Sequence, residues 1–323
     1  MKEVYKILLL SLLLYSSPPL LPLRAQLLYE VSGNSAKGKS YIFATNPYVD
    51  VSYLDSIYPN SSAPLYRCRQ SDLLYSQCER VVTEFALQDY EAIAVMRQAA
   101  LLPDSIGLRD LFAPTDYEYI RTACISLLDL DIDSLGRLKP SYLTELYRDE
   151  LLHRWLLPNI QHSTQDTLTP YTSIPLLPIS IYFEALAEEE GKPVMGLDNA
   201  SETMYIAFDR EPIAWQCQEL KKVIDYPEKE VEQERIIRDL YLHGRLNDIA
   251  YLITRPDNET SVSYSDYRVF SQRNKQWVKR LTPYFKTGRT FVTLNAIYLG
   301  GDEGLLAQLR AAGFRVKAVK IKH

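Results

Sequence analysis

Short runs rich in β-branched and aromatic residues alternate with long helical patterns along this sequence, and that alternation narrows the folds open to it. Leu27–Val31 and Tyr41–Thr45 flank a Gly33–Gly38 turn and read as two paired strands. Val81–Phe85, Pro193–Leu197, Arg289–Leu294 and Phe314–Ile321 read as further strands. Between them, Gln88–Leu101 is amphipathic and stops before Pro103, Thr115–Glu118 forms a capping box for a helix towards Leu130, and Ser141–Leu157 is a third helix. Ile181–Glu190 ends at Gly191, Glu202–Ile224 is helical with a kink or break at Pro212, and Gly244 closes Lys229–His243. Ser265–Lys286 and Asp302–Ala312 complete the set, the last capped by Asp302 and ended by Gly313. Strands interleaved with helices place the chain in the α/β (α+β) class. No Gly-, Ser- or Pro-rich linker divides it, although 162–175 reads as an internal loop, so one domain over 26–323 is expected.

The first 25 residues have a different character. Lys2 and Lys6 flank a short polar start, and Ile7–Tyr15 is an apolar core interrupted by Ser11. That core is too short for a bilayer span, which needs about 20 apolar residues. Pro18, Pro19 and Pro22 break any helix, and Ala25 supplies a small residue for cleavage, so 1–25 reads as a secretory signal peptide. The expected product begins near Gln26, has no membrane span and resides in the periplasm or outside the cell.

Composition is that of an ordinary globular chain: 323 residues, 46% hydrophobic and 24% charged. The net charge of −5 includes +2 from Lys2, Lys6 and Arg24 against Glu3, which leaves about −7 after cleavage. Nucleic-acid binding, which calls for a basic face, is not expected. All four cysteines follow the leader, and Cys68 with Cys78 is the local candidate disulfide, worth about 3 kcal/mol if unstrained. The four histidines, His153, His162, His243 and His323, form no metal-ligand spacing.

The C-terminal third carries a more specific pattern. An Arg273–Asn274 pair in a helix is followed by a strand from Gly288 through Asn295 to Tyr298, a Gly301-Asp-Glu-Gly304 turn, a helix, and Gly313-Phe-Arg-Val. This order resembles the end of the TraB/GumN family. Upstream, the opening hairpin, the Val81–Glu84 acidic strand, Lys139–Pro140 before a helix, and Gly191-Lys-Pro-Val-Met-Gly-Leu-Asp198 resemble the family in the same order. The resemblance implies a mixed β-sheet core flanked by many helices.

Several positions depart from the family pattern. The first Gly-x-x-His falls on Ala44-Thr-Asn-Pro47 and the second on Asn295-Ala-Ile-Tyr298, so both glycines and both histidines are replaced. Asp198 stands where a glutamate is usual, and Gly244-Arg245 replaces a Gly-Asp. In members with metal-dependent hydrolase or protease activity, the resemblance implies that those histidines and the acidic-strand glutamate hold the ion; only Glu84 remains. Proline offers no ligand, and a phenol with a pKa near 10 is a poor one at neutral pH. Two expectations follow. In the first, the chain is a non-catalytic binding or accessory protein for a protein, peptide or glycan, without cofactor, and Glu84 pairs with Arg273 to close the old pocket. In the second, a hydrolase or protease has a rebuilt site, with a divalent metal only in this case: Glu84 is general base, Arg273 binds an anionic group or oxyanion, and Tyr298 donates a proton. Thr45, Asn46, Asp198, Asn274 and Asn295 are the surrounding pocket candidates.

Overall fold

The computed structural model describes residues 26–49, 74–86, 90–156, 179–254 and 264–319. A six-stranded sheet is formed by β1 (Leu28–Ser32), β2 (Ser40–Thr45), β3 (Arg80–Thr83), β4 (Val194–Gly196), β5 (Thr290–Asn295) and β6 (Arg315–Ala318), in the order β4-β3-β5-β2-β1-β6. β4, β3, β5 and β2 run parallel, while β1 is antiparallel to both β2 and β6. The sheet is therefore mixed, as the resemblance implies. β2 is buried along its whole length and β5 almost so. Both strands read as near-continuous apolar runs because both their faces are covered. A left-handed turn at Gly33, Asn34 and Ser35 returns β1 into β2, with Leu28 opposite Phe43.

Ten helices surround the sheet among the described residues: α1 (Tyr90–Ala99), α2 (Pro114–Leu128), α3 (Pro140–Leu156), α4 (Ile179–Glu189), α5 (Ala200–Met204), α6 (Ile213–Asp225), α7 (Pro227–Leu242), α8 (Leu246–Thr254), α9 (Tyr264–Thr287) and α10 (Leu305–Ala311). Their faces follow helical spacing: Trp277, Leu281 and Phe285 on α9 are all fully buried at every fourth position. On α4, Phe183 meets Phe291 of β5 with ring centroids 4.6 Å apart, Phe43 of β2 at 5.5 Å and Tyr75 at 5.7 Å. A second core lies away from the sheet, where Tyr117, Ile120 and Cys124 of α2 pack on Leu143 and Tyr147 of α3 and Leu220 and Val223 of α6. Arg148 of α3 fastens this helical layer, reaching Glu219 of α6 at 3.3 Å and Glu230 of α7 at 2.8 Å.

The boundaries differ from expectation in instructive ways. α2 starts at Pro114, with Ala113 as an N-cap that makes no side-chain bond, so Thr115 sits inside the first turn and forms no capping box. Proline at the first helical position loses nothing by lacking an N–H, which shifts the start upstream. α10 is capped by Gly304, not Asp302, which lies in the preceding turn. The 202–224 stretch is divided as Pro212 suggests. α5 opens with an Asn199/Glu202 capping box and runs into a wide turn at Tyr205–Asp209, and α6 takes Pro212 as its N-cap. α8 was not expected at all. Cys78 is a free, buried thiol whose Sγ lies 3.5 Å from the Leu74 carbonyl, with burial pushing its pKa up to about 12. Cys68, the leader, the 162–175 loop, His162 and His323 fall outside the described residues.

The aromatic cluster makes Phe183 a keystone. Phe183→Ala should destabilise the chain by about 3–5 kcal/mol in urea unfolding, whereas the same change at the exposed Tyr119 should stay within about 0.5 kcal/mol. Equal losses at the two positions would contradict this placement of the core.

Candidate functional site

Four parallel strands deliver their carboxyl ends to one edge of the sheet, and each end carries a polar residue: Thr45 closing β2 with Asn46 after it, Glu84 after β3, Asp198 after β4 and Asn295 closing β5. Ligands of open α/β sheets bind outside this edge. Thr45 is buried opposite Asn295 in the ladder. Glu84 and Asp198 are neighbours by backbone, since Asp198 N donates to Glu84 O at 2.9 Å and Leu197 N to Thr83 O at 2.8 Å. The Glu84 carboxylate reaches across β5, accepting from Asn295 N at 2.7 Å.

One face of α9 closes over this edge. Arg273, Trp277 and Arg280, at i, i+4 and i+7, all aim at Asp198, whose side chain is only 4% exposed. Asp198 Oδ2 accepts from Arg273 Nε at 2.5 Å, and Oδ1 accepts from Trp277 Nε1 at 2.7 Å and Arg280 Nη1 at 3.1 Å. Arg280 also bonds Glu202 of α5 at 2.6 and 2.8 Å and the Leu197 carbonyl. Arg280 holds the Glu202 carboxyl below its ordinary range.

Arg273 meets three polar partners. Besides Asp198, its Nη1 donates to the Tyr298 hydroxyl and its Nη2 lies 3.7 Å from Glu84 Oε2. Its guanidinium carbon sits 4.6 Å from the Trp277 ring centroid and 4.9 Å from that of Tyr298. Burial opposes its charge, but Tyr298, Glu84 and Asp198 together raise its pKa above the ordinary value. Glu84 is shifted upward because burial outweighs Arg273 and the Asn295 N–H, and Asp198 adds to the rise. Tyr298 packs edge-on against Phe270 and Trp277, each with centroids 4.8 Å away. Asn274, next on α9, ties the turn beyond Tyr298 instead, donating to the Tyr298 carbonyl at 3.0 Å and the Glu303 carbonyl at 3.1 Å.

These residues do not fit the divalent ion implied by the family pattern. Glu84 Oε1 is taken by Asn295 N and Oε2 faces a guanidinium, which also donates to the phenol at the second histidine position. A cation placed there would sit against Arg273. Among the described residues no three His, Cys, Asp or Glu side chains are grouped to hold a metal.

The described residues form cavities that include ones of about 360, 500 and 220 Å³, and Glu84, Arg273 and Tyr298 line none of these three. The smallest lies at the replaced first motif, lined by Asn46 and Pro47, with Asn295 and Ile297 from the second and Glu234 from α7. Asn46 Nδ2 donates to Glu234 Oε1 at 3.2 Å, and its Oδ1 accepts from Tyr48 N at 2.8 Å. Burial pushes the Glu234 carboxyl up to about 7, against the Asn46 hydrogen bond and Arg238. Sequence reading brought together Glu84, Arg273, Asp198, Tyr298 and Asn295, but missed Trp277, Arg280 and Glu234. Trp277 and Arg280 were signalled only by sharing a helix face with Arg273, and Glu234, on α7, by nothing in the sequence.

The fold and this edge define an α/β protein whose candidate site residues gather at the carboxyl ends of its parallel strands. The sequence matches the TraB/PrgY/gumN family over residues 69–318, well over half of its length, and the chain belongs to that family. Among curated proteins and solved structures, none matches it significantly.

The Glu234 shift has a definite sign. The folded carboxyl titrates near 7 and the unfolded one near 4.5, so between these values the folded chain binds more protons. Its contribution to stability is therefore greatest below about pH 4.5 and declines towards pH 7, by on the order of 3 kcal/mol. Glu234→Gln should melt a few degrees above wild type at pH 8 and close to it near pH 4.5, as followed by circular dichroism; equal pH slopes would contradict the shift.

Proposed function

We propose that this TraB/PrgY/gumN member is an exported, non-catalytic protein that binds or assists a protein, peptide or glycan partner in the periplasm or outside the cell. The observation that carries the reading is the consumption of Arg273: its nitrogens serve Asp198, Tyr298 and Glu84, and its guanidinium lies against two aromatic rings. A hydrolase built on Glu84, Arg273 and Tyr298 would need these groups to meet a substrate, and each is occupied by another. Pro47 and Ile297 line what remains of the neighbouring pocket. Export rests on the leader-like character of residues 1–25. A general base and an oxyanion donor must reach the reacting atoms to act.

The purified protein should contain no stoichiometric transition metal, and Arg273→Ala should lower stability by about 3–5 kcal/mol, because Asp198 is left buried with fewer partners. Glu84→Ala should lower the melting temperature less and change no hydrolysis of casein or p-nitrophenyl esters above background. A stoichiometric metal that disappears in Glu84→Ala while the fold persists would contradict the reading.

A further inference from the structure

We infer that the cavity of about 500 Å³ between α8, α9 and the 299–304 turn is a binding site for a neutral saccharide. The inference rests on the binding-protein reading above and names its ligand class. Phe270 and Ile297 separate this cavity from the one containing Glu234, because both residues line both spaces. Its volume falls within the range of small-molecule sites and accommodates one or two sugar rings.

The cavity is built in advance. Gly300 packs so closely on the start of α8 that a Cβ there would lie 2.0 Å from the Leu246 carbonyl oxygen. Gly301 N donates to Asn247 Oδ1 at 3.0 Å. Across the cavity, Asn274 Nδ2 donates to the Tyr298 and Glu303 carbonyls. Those two donations fix which way the amide points, and they leave Asn274 Oδ1 buried without a hydrogen-bond partner in a residue only 2% exposed. Buried acceptors are almost always paired, and this unpaired one lies in the cavity wall, out of reach of solvent.

The rest of the lining indicates which ligand the cavity fits. Tyr251, 67% exposed, stands among the lining residues with Phe270 and Ile297, giving apolar and aromatic surface for the C–H face of a sugar. Asn247, Asp302 and Glu303 supply planar polar groups for its hydroxyls. Glu303 is already balanced by Ser271 Oγ at 2.6 Å and Lys275 at 3.5 Å, which leaves it little pull on a cationic ligand. Asp302 and Glu303 together disfavour an anion, and Arg310 is turned to the Val316 carbonyl.

The test titrates the purified chain with glucose, galactose, mannose, N-acetylglucosamine and their β-1,4-linked disaccharides, using saturation-transfer NMR and calorimetry. At least one should bind at millimolar concentration or tighter. Tyr251→Ala, an exposed change that leaves the fold intact, should weaken it about tenfold, and Ala307→Leu should do so by filling the space. No binding across the panel, or binding that neither variant alters, would overturn the assignment. Selective binding of a basic dipeptide such as Lys-Ala in place of the sugars would also overturn it. If a disaccharide binds and is cleaved in the same spectra, the saccharide site stands and the non-catalytic reading falls.

Discussion

Asp198 is a carboxylate withdrawn from water, and the geometry around the sheet edge follows from the need to compensate it. An ion buried this deeply is tolerated only when donors satisfy it from several sides. Here they come from one helix face, with Arg273, Trp277 and Arg280 each offering an N–H. Their spacing fixes both the rotation and the axial position of α9 against the end of β4. Arg280 then carries the link outward to Glu202, whose capping box with Asn199 starts α5. A single charge thereby sets the relation between β4, α5 and α9.

The same constraint divides the edge of the sheet into two chemically different halves. On the β3–β4 side, Glu84, Asp198, Arg273 and Tyr298 form a closed set in which every charge has a partner. On the β2–β5 side, Asn46, Pro47 and Ile297 from the two replaced motifs border a small cavity that also holds Glu230 and Glu234, the Glu234 carboxyl pushed up to about 7 by burial. Arg273 belongs to the first half and its positive charge opposes a divalent ion anywhere near the second. With the histidines of the family pattern replaced, the Arg273 guanidinium is what balances Glu84 and Asp198.

Much of this was legible before any coordinates. The alternation of β-type runs and helices gave the class, and the strands at 41–45, 81–85, 193–197 and 289–294 fall where expected, with ends displaced by a residue or two. Those runs were readable because strands buried on both faces are apolar throughout. α8 escaped notice because nine residues after Gly244 and Arg245 resemble a loop until Ile249 and Ile253 are seen to be buried. Thr115 and Asp302 misled because a capping residue type is common in turns generally, and Ala113 and Gly304 hold the actual cap positions. The Glu84–Arg273 pairing was anticipated, whereas the dominance of Asp198 was not. Its partners lie 75 to 82 residues away, and no local pattern announces that a tryptophan and a second arginine on an amphipathic helix share one acceptor.

The central claim is that Arg273 is an internal structural cation. The most direct measurement is a double-mutant cycle of Asp198→Asn and Arg273→Met, read by urea unfolding. Strong structural pairing predicts a coupling energy of about 2 kcal/mol or more, with the double variant far less damaged than the two single losses combined. Additivity within about 0.5 kcal/mol, with Arg273→Met close to wild type in stability, would contradict the account and free the guanidinium for a ligand.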